Sequence, residues 1–372
     1  MRVGFYGRYG RGVTGLTLEE GACGGSESAL VYMAQELQKL GHEVYVFNKC
    51  GEAHGDYKNV KYRDIAEFGP ILKSGTGFDI LVVFRDLDIL KVLGPDTSGI
   101  GIKRKVYWAH DDQSYLWDNP KMLETVGGWL NNNSDKVFAV SSWQADIYRE
   151  KFGVAQEKIF VTRNGVNLDF FKSSAERDPK RLIYTSVPDR GLDVLLEIFP
   201  EIKERAQVDL YVFSSFKTYG MPETDNKIED LFQKAKSIGV NLKDPLPQKD
   251  LARELQKSAL MVYPNHKSTF HPVYAETACI AVLEAQAAGT PVISSKRGAL
   301  PESILDGETG VLIEGDPYSK EYQARFIEET VKLMQDKARW QRMSQKARER
   351  IEKEYPWKQI AAEWQEEFNK IL

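Results

Sequence analysis

Glu276-Thr-Ala-Cys-Ile-Ala-Val-Leu-Glu284-Ala-Gln-Ala-Ala-Gly289-Thr-Pro-Val292 decides how the rest of this chain is read. The run has a helical composition and leads into a short β-branched strand, Pro291 to Ser294, as one α-to-β step of a parallel sheet does. With a helix starting near Ala278, Glu276 stands just before the N-terminus and Glu284 lies roughly 10 Å further along, at 1.5 Å per residue. One ligand could touch both. A diphosphate at the helix N-terminus would be flanked by a sugar held by Glu276 and a ribose whose hydroxyls Glu284 accepts. The plainer alternative makes Glu276 an acid favoured by the helix dipole and Glu284 a solvent-facing residue.

Outward from that stretch, short apolar or β-branched runs alternate with longer segments of helical period, the signature of repeated βα units. In the first half the expected strands are Arg2 to Tyr6, Glu43 to Phe47, Ile80 to Phe84, Lys105 to Ala109, Lys136 to Val140 and Ile159 to Thr162. The helix Ser26 to Leu40 carries Ala29, Leu30, Met33, Leu37 and Leu40 at the spacing of one buried face. After Arg163-Asn-Gly-Val-Asn and the polar stretch Ser173 to Lys180, strands resume at Arg181 to Thr185, Asp209 to Phe213, Leu260 to Val262, Pro291 to Ser294 and Gly310 to Ile313. The expectation is an α/β chain of two doubly wound Rossmann-like domains, 1–168 and 169–356. The charged segment ending at Pro356 is followed by Trp357, Ile360, Ala361, Trp364 and Phe368 on one side of a helix that crosses back to the first domain, at about 357–372.

At 372 residues and 42% hydrophobic content, the chain can fill more than one core. A net charge of -4 with both signs interspersed gives no footprint for nucleic acid. Cys23, Cys50 and Cys279 are odd in number and far apart, which argues for a reducing compartment rather than a disulfide framework. Without an apolar N-terminal run or a membrane-length apolar stretch, the expected location is cytoplasmic.

Gly24-Gly25-Ser26-Glu27 closes a glycine-rich loop and opens the first long helix, where backbone can approach a ligand and free amides attract an anion. Ser26 as an ordinary N-cap is the alternative. The glycines after the first strand, Gly7, Gly10 and Gly12, do not spell G-x-G-x-x-G, and no acidic ribose partner ends the second strand, so hydride chemistry loses its support. Trp108-Ala109-His110-Asp111-Asp112 ends a strand; adjacent side chains diverge on extended backbone and no second histidine cluster supplies ligands, so no metal site is expected.

The stretch from Glu276 to Glu284 resembles the E-x7-E motif of glycosyltransferase family 4, retaining enzymes of the GT-B fold. Gly24 to Glu27 resembles that family's glycine loop and Asn164-Gly165-Val166-Asn167 its linker; Arg297 to Glu302, Gly307 to Gly310 and the Trp357 helix follow in order. The resemblance implies two facing domains with a cleft between them. It also implies a nucleotide-sugar donor held by Gly24, Gly25, Ser26, Arg190, Glu276, Ala278, Cys279, Ile280 and Glu284, with His110, Asp111, Arg190 and Glu276 nearest the chemistry. His110 would lie near the donor sugar and its polar neighbours near the acceptor. Where family members commonly place an arginine and then a lysine on the diphosphate, this chain has Thr185-Ser-Val-Pro-Asp-Arg-Gly-Leu-Asp, with Arg190 alone, as in a subgroup with a P-D-R-G-L loop. Lys217, Lys267 and Arg85 are candidates for the second cation. The longer segment Asn265 to Ala275 makes His266, Lys267 and His271 a local elaboration.

No D-x-D clamp is evident, so the resemblance implies retaining hexosyl transfer without metal or cofactor, from a UDP or GDP donor to a glycan or lipid-linked acceptor. An epimerase of the same fold, or a non-catalytic nucleotide-sugar or glycan binding subunit, remains the alternative. The loops Tyr9 to Ala22 and Gln113 to Trp129 carry aromatic and polar side chains suited to an acceptor. Lys103-Arg104-Lys105 beside Ile100 and Ile102 leaves a weak peripheral membrane contact as a minority reading. Monomer and homodimer both stay open.

Overall fold

The computed structural model describes residues 1–216, 226–266 and 275–372. Two compact units divide the chain: Met1–Leu18, Gly24–Asn164 and Trp357–Leu372 form the first, Glu19–Cys23 and Gly165–Pro356 the second.

The first unit holds eight strands: β1 (Arg2–Tyr6), β2 (Glu43–Asn48), β3 (Gly55–Tyr57), β4 (Val60–Asp64), β5 (Phe78–Phe84), β6 (Ile102–Ala109), β7 (Lys136–Ala139) and β8 (Ile159–Val161). They lie in the order β3-β4-β2-β1-β5-β6-β7-β8. All neighbours are parallel except β3 and β4. The central strand β5 reads Phe-Asp-Ile-Leu-Val-Val-Phe and is buried almost throughout, as a strand covered on both faces must be. The β3–β4 hairpin escapes the apolar pattern because it is short and partly exposed. Its two-residue turn places Lys58 and Asn59 at φ 51° and 61°, a pair of left-handed residues without the usual glycine signal.

The terminal helix Trp357–Ile371 belongs to this unit and buries Trp357, Ile360, Ala361, Trp364 and Phe368. Trp364 lies 4.6 Å from Trp108, ring to ring, and its Nε1 donates to Thr162 Oγ1 at 2.7 Å. Tyr32 on the helix Gly25–Lys39 stacks on Trp357 at 5.9 Å. A fully buried tryptophan with its one donor satisfied anchors the helix with both apolar area and direction.

Within the basic run Lys103 to Lys105 the three side chains differ, Lys105 being buried while Lys103 stays exposed. Lys105 is buried and donates to the carbonyls of Gly94 and Pro95, at 2.5 and 2.8 Å. Lys103 Nζ sits 2.7 Å from Asp79, Arg104 donates to the Ile371 carbonyl, and Ile102 is buried. No described helix is long and apolar enough to cross a membrane.

The second unit holds β9 (Asp178–Tyr184), β10 (Asp209–Phe213), β11 (Asn241–Lys243), β12 (Ser258–Tyr263), β13 (Val292–Ser295) and β14 (Gly310–Ile313). Their order is β11-β10-β9-β12-β13-β14, all parallel. Counted within the unit this is 3-2-1-4-5-6, the doubly wound order. The chain winds outward from β9 in both directions, so the loops leaving β9 and β12 part at their carboxyl ends. Ligands bind sheets of this kind at that crevice. In the first unit the same reversal falls between β1 and β5.

Candidate functional site

The loop after β9 brings Arg190, and the segment after β12 brings Glu276. Arg190 Nη1 donates to Glu276 Oε1 at 3.2 Å, and Tyr263 Oη, at the end of β12, donates to the same oxygen at 2.5 Å. Asn265 Nδ2 donates to Tyr263 Oη at 2.8 Å, which fixes that hydroxyl's remaining hydrogen toward the carboxylate. Glu276 is buried, so these charge-assisted bonds offset the cost of removing its carboxylate from water. The result is a cation and a carboxylate held together at the switch point.

Two glycines make this approach possible. Gly191 has φ 108°, and a Cβ there would meet Pro264 O at 2.2 Å, so only glycine lets the Arg190 loop lie against the segment after β12. Gly298 has φ 56°, and its Cβ would stand 2.5 Å from Glu276 O, while Ala299 N donates to that carbonyl at 2.7 Å. The turn after β13 therefore seats the backbone of Glu276.

The helix of the motif runs Ile280–Ala287 with Cys279 at its N-cap, two residues later than the spacing suggests. Cys279 offers the first turn no side-chain hydrogen bond, and burial pushes its thiol well above the ordinary range, so it is not a nucleophile at neutral pH. Ala278 and Ile280 flank it at the helix start. Glu284 is buried, not solvent-facing. Burial pushes its carboxyl up to about 7, against the pull of a hydrogen bond from Gln248 Nε2 to its Oε1. The solvent-facing alternative for Glu284 therefore does not hold.

Sequence reasoning did not single out Tyr263 or Gln248. Tyr263 looks like one more apolar strand residue, and only its place at the carboxyl end of β12 marks it. Gln248 begins the helix Gln248–Lys257 behind Pro247, a start signal that says nothing of the buried glutamate beyond it. His266 joins the same crest: its Nε2 lies 2.7 Å from Asp193 Oδ1, and Tyr318 Oη donates to Asp193 Oδ2 at 2.8 Å. Lys217, Lys267 and His271 lie outside the described residues.

On the first unit, the helix Gly25–Lys39 has Gly24, not Ser26, at its N-cap, so no side chain covers its first amides. Ser28 Oγ donates to Gly24 O at 2.9 Å, which fixes the glycine turn from within the helix. Ser26 sits inside the first turn, half-buried beside Gly25. Glu27 is buried, its Oε1 3.7 Å from Arg85 Nη1. Arg85, leaving β5 at φ 62°, grips Asp111 through two bonds, Nε to Oδ2 at 2.8 Å and Nη2 to Oδ1 at 3.1 Å. As a candidate diphosphate cation, Arg85 thus starts from an ion pair within the first unit.

The Asp111 carbonyl accepts from Gln144 Nε2 at 3.0 Å and Tyr148 Oη at 3.2 Å, which locks the turn after β6. His110 is buried against Phe84 and Trp108, with ring centroids 5.0 and 4.6 Å away. Burial foremost, with Arg85 next, lowers its pKa to about 3, so the imidazole is neutral at physiological pH. Such a histidine can exchange hydrogen bonds with a hydroxyl but is a poor acid. Among the described residues, no group of three or more His, Cys, Asp or Glu side chains could hold a metal ion.

The family model described as glycosyl transferases group 1 matches residues 167–350, and that described as Glycosyltransferase Family 4 matches residues 23–170. A D-inositol 3-phosphate glycosyltransferase of Streptomyces avermitilis is 28% identical over 209 residues, 50% of this chain and 42% of that one. A glycogen synthase of Mycobacterium tuberculosis is 24% identical over 247 residues, 65% of this chain and 55% of that one. The chain thus spans about half the length of the curated relatives it matches. Among solved structures, Anabaena HepE in complex with UDP and glucose superposes with a TM-score of 0.74 at 16% identity, over 100% of both chains. Sucrose-phosphate synthase from Thermosynechococcus elongatus gives 0.77 at 16% identity, over 100% of this chain and 98% of that one. At such identity these likenesses speak to the fold, two Rossmann-like α/β units.

Proposed function

The chain belongs to the group 1 glycosyltransferases of glycosyltransferase family 4, and from that premise we propose that it moves a hexose from a UDP- or GDP-sugar to a glycan or lipid-linked acceptor with retention and without a metal. The observation that carries the reading is the Arg190–Glu276–Tyr263 cluster at the β9/β12 switch point, with buried Glu284 on the helix that follows. Each group has a task in that reaction. Glu284 accepts the ribose hydroxyls beside the bond that its Oε1 takes from Gln248 Nε2. Glu276 holds a hydroxyl of the transferred sugar, its position set by Tyr263 and by the Gly298 turn.

Charge growing on the leaving diphosphate falls to Arg190 and to the amides at Cys279 and Ile280, with Gly24, Gly25 and Ser26 offering a second set. His110, neutral in its apolar pocket, supplies a hydrogen bond beside the sugar without adding positive charge near a developing oxocarbenium ion. The acceptor hydroxyl attacks the anomeric carbon from the face that the phosphate leaves. Its proton passes to the departing phosphate oxygen, so no enzyme carboxylate is needed as nucleophile. UDP is favoured over GDP because HepE, which shares the fold, is in complex with UDP and glucose.

The reading is tested by incubating EDTA-treated protein with UDP-glucose and a panel of sugar acceptors, measuring free UDP and the anomeric configuration of the product by NMR. Metal-independent UDP release with an α-linked product from the α-linked donor is expected. A β-linked product, or release only after a divalent metal is restored, overturns it.

A further inference from the structure

The transfer chemistry proposed above leaves one cluster on the second unit's crest without a task. It joins His266 after β12, Asp193 in the first turn of the helix Leu192–Ala206, and Tyr318 between β14 and the helix Lys320–Gln335. His266 is buried, whereas Asp193 and Tyr318 reach solvent. Tyr318 Oη donates to Asp193 Oδ2 at 2.8 Å, His266 Nε2 lies 2.7 Å from Asp193 Oδ1, and Tyr318 Oη is 3.2 Å from that same nitrogen. An ionised carboxylate only accepts, so Nε2 carries a hydrogen and donates it. Burial would raise the Asp193 carboxyl, but the bonds from His266 and Tyr318 outweigh it and hold the group below its ordinary range, so both donors grip a carboxylate.

This cluster closes on the loop that carries Arg190. Asp193 follows Gly191 by two residues and His266 follows Pro264 by two, so the Gly191–Pro264 approach and the Asp193–His266 bond are successive rungs between the same two segments. Before Arg190 the loop is tied as well: Arg190 N donates to Val187 O at 3.2 Å, and Tyr184 Oη, on β9, donates to the same carbonyl at 2.8 Å. The backbone of Arg190 is therefore held on both sides, and its Nη1 falls 3.2 Å from Glu276 Oε1. The short P-D-R-G-L loop offers this one arginine. A loop already in its bound conformation spares the incoming ligand the cost of ordering it.

On the proposed reading of this chain as a transferase, we infer that His266 and Tyr318 act through Asp193 as positioning residues, holding the Arg190 loop in the conformation that receives the donor's diphosphate. Without the bracket Arg190 keeps its charge, but each incoming diphosphate has to order the loop, and binding weakens. The effect runs through the Arg190 guanidinium and through nothing else. A cluster that merely stabilised the unit would change UDP binding equally with and without that guanidinium.

The test is a double-mutant cycle on the full chain, read as UDP affinity by calorimetry. His266→Ala should weaken UDP binding about ten-fold and Tyr318→Phe about three-fold. His266→Gln, whose amide can still donate to Asp193, should stay within about two-fold of the native chain. In an Arg190→Ala background, His266→Ala and Tyr318→Phe should each change the affinity by less than about two-fold. Should the buried His266→Ala site prevent folding, Tyr318→Phe, at an exposed position, carries the same cycle. Native affinity in folded Tyr318→Phe, no rescue by His266→Gln where His266→Ala weakens binding, or an equal loss with and without Arg190 each overturns the inference. Failure of the native chain to bind UDP, or native affinity in Arg190→Ala alone, overturns instead the functional reading on which the inference rests.

Discussion

Replacing Glu284 with Gln isolates the titration of a single buried carboxyl. Its folded pKa stands at about 7 against an ordinary 4.5, raised by burial. Between those values the unfolded chain has lost this proton while the folded chain keeps it, so the group's contribution to stability falls as pH rises from 4.5 to 7 and stays low above. The gap corresponds to about 3 kcal/mol. Glu284→Gln keeps the shape and cannot ionise, so relative to the native chain it should gain about 3 kcal/mol between pH 4.5 and pH 8. Ligand binding should show the mirror image. If ribose hydroxyls bind the carboxylate, the native protein has about one-tenth of its sites ready at pH 6 and nine-tenths at pH 8, so UDP affinity should rise about ten-fold. Urea unfolding of both proteins at the two pH values, with UDP calorimetry at pH 6 and 8, measures both effects. Parallel stability profiles for native and Glu284→Gln proteins, or a flat UDP affinity in the native chain, would refute the reasoning.

Other substitutions probe the neighbours. Gln248→Ala removes the hydrogen bond that opposes the rise in the Glu284 pKa, so the midpoint of the UDP affinity profile should move to higher pH. Arg190→Ala deletes a charge-assisted bond of about 1.5–3 kcal/mol and should weaken UDP binding about ten- to hundred-fold, read by calorimetry. Gly191→Ala forces a Cβ to within 2.2 Å of Pro264 O at φ 108° and should lower the melting temperature and UDP affinity together. Trp364→Ala empties a fully buried site in the first unit and should cost about 3–5 kcal/mol in chemical denaturation.

The alternation of apolar runs with helical segments was enough to read both sheets, because parallel strands covered on two faces are apolar throughout and stand out in a sequence. Of the strands it missed, Gly55–Tyr57 and Asn241–Lys243 are edge strands, and Val60–Asp64, next to an edge, buries only Val60 and Tyr62, so the apolar signal fades. Glu276 and Glu284 were visible as a spaced pair, but their burial was not, since it depends on Tyr263, Gln248 and the Gly298 turn, distant in sequence. In Lys103 to Lys105 the burial of Lys105 was hidden for the same reason, because the Gly94 and Pro95 carbonyls that take its ammonium lie elsewhere in sequence, while Lys103 stays on the surface beside Asp79. Arg85 was singled out as a candidate second cation for the diphosphate, and the strand order adds what the sequence does not show, that Asp111 lies beside it.

The central claim, a metal-independent nucleotide-sugar site built on Glu284, Glu276 and Arg190, is tested most directly by thermal unfolding of the EDTA-treated protein with UDP-glucose, UDP-N-acetylglucosamine, UDP-galactose and GDP-mannose. The account predicts that one donor raises the melting temperature with EDTA present, and that the rise disappears in Glu284→Ala and Arg190→Ala proteins. No rise with any donor, or a rise that needs a divalent metal or survives both substitutions, would contradict it.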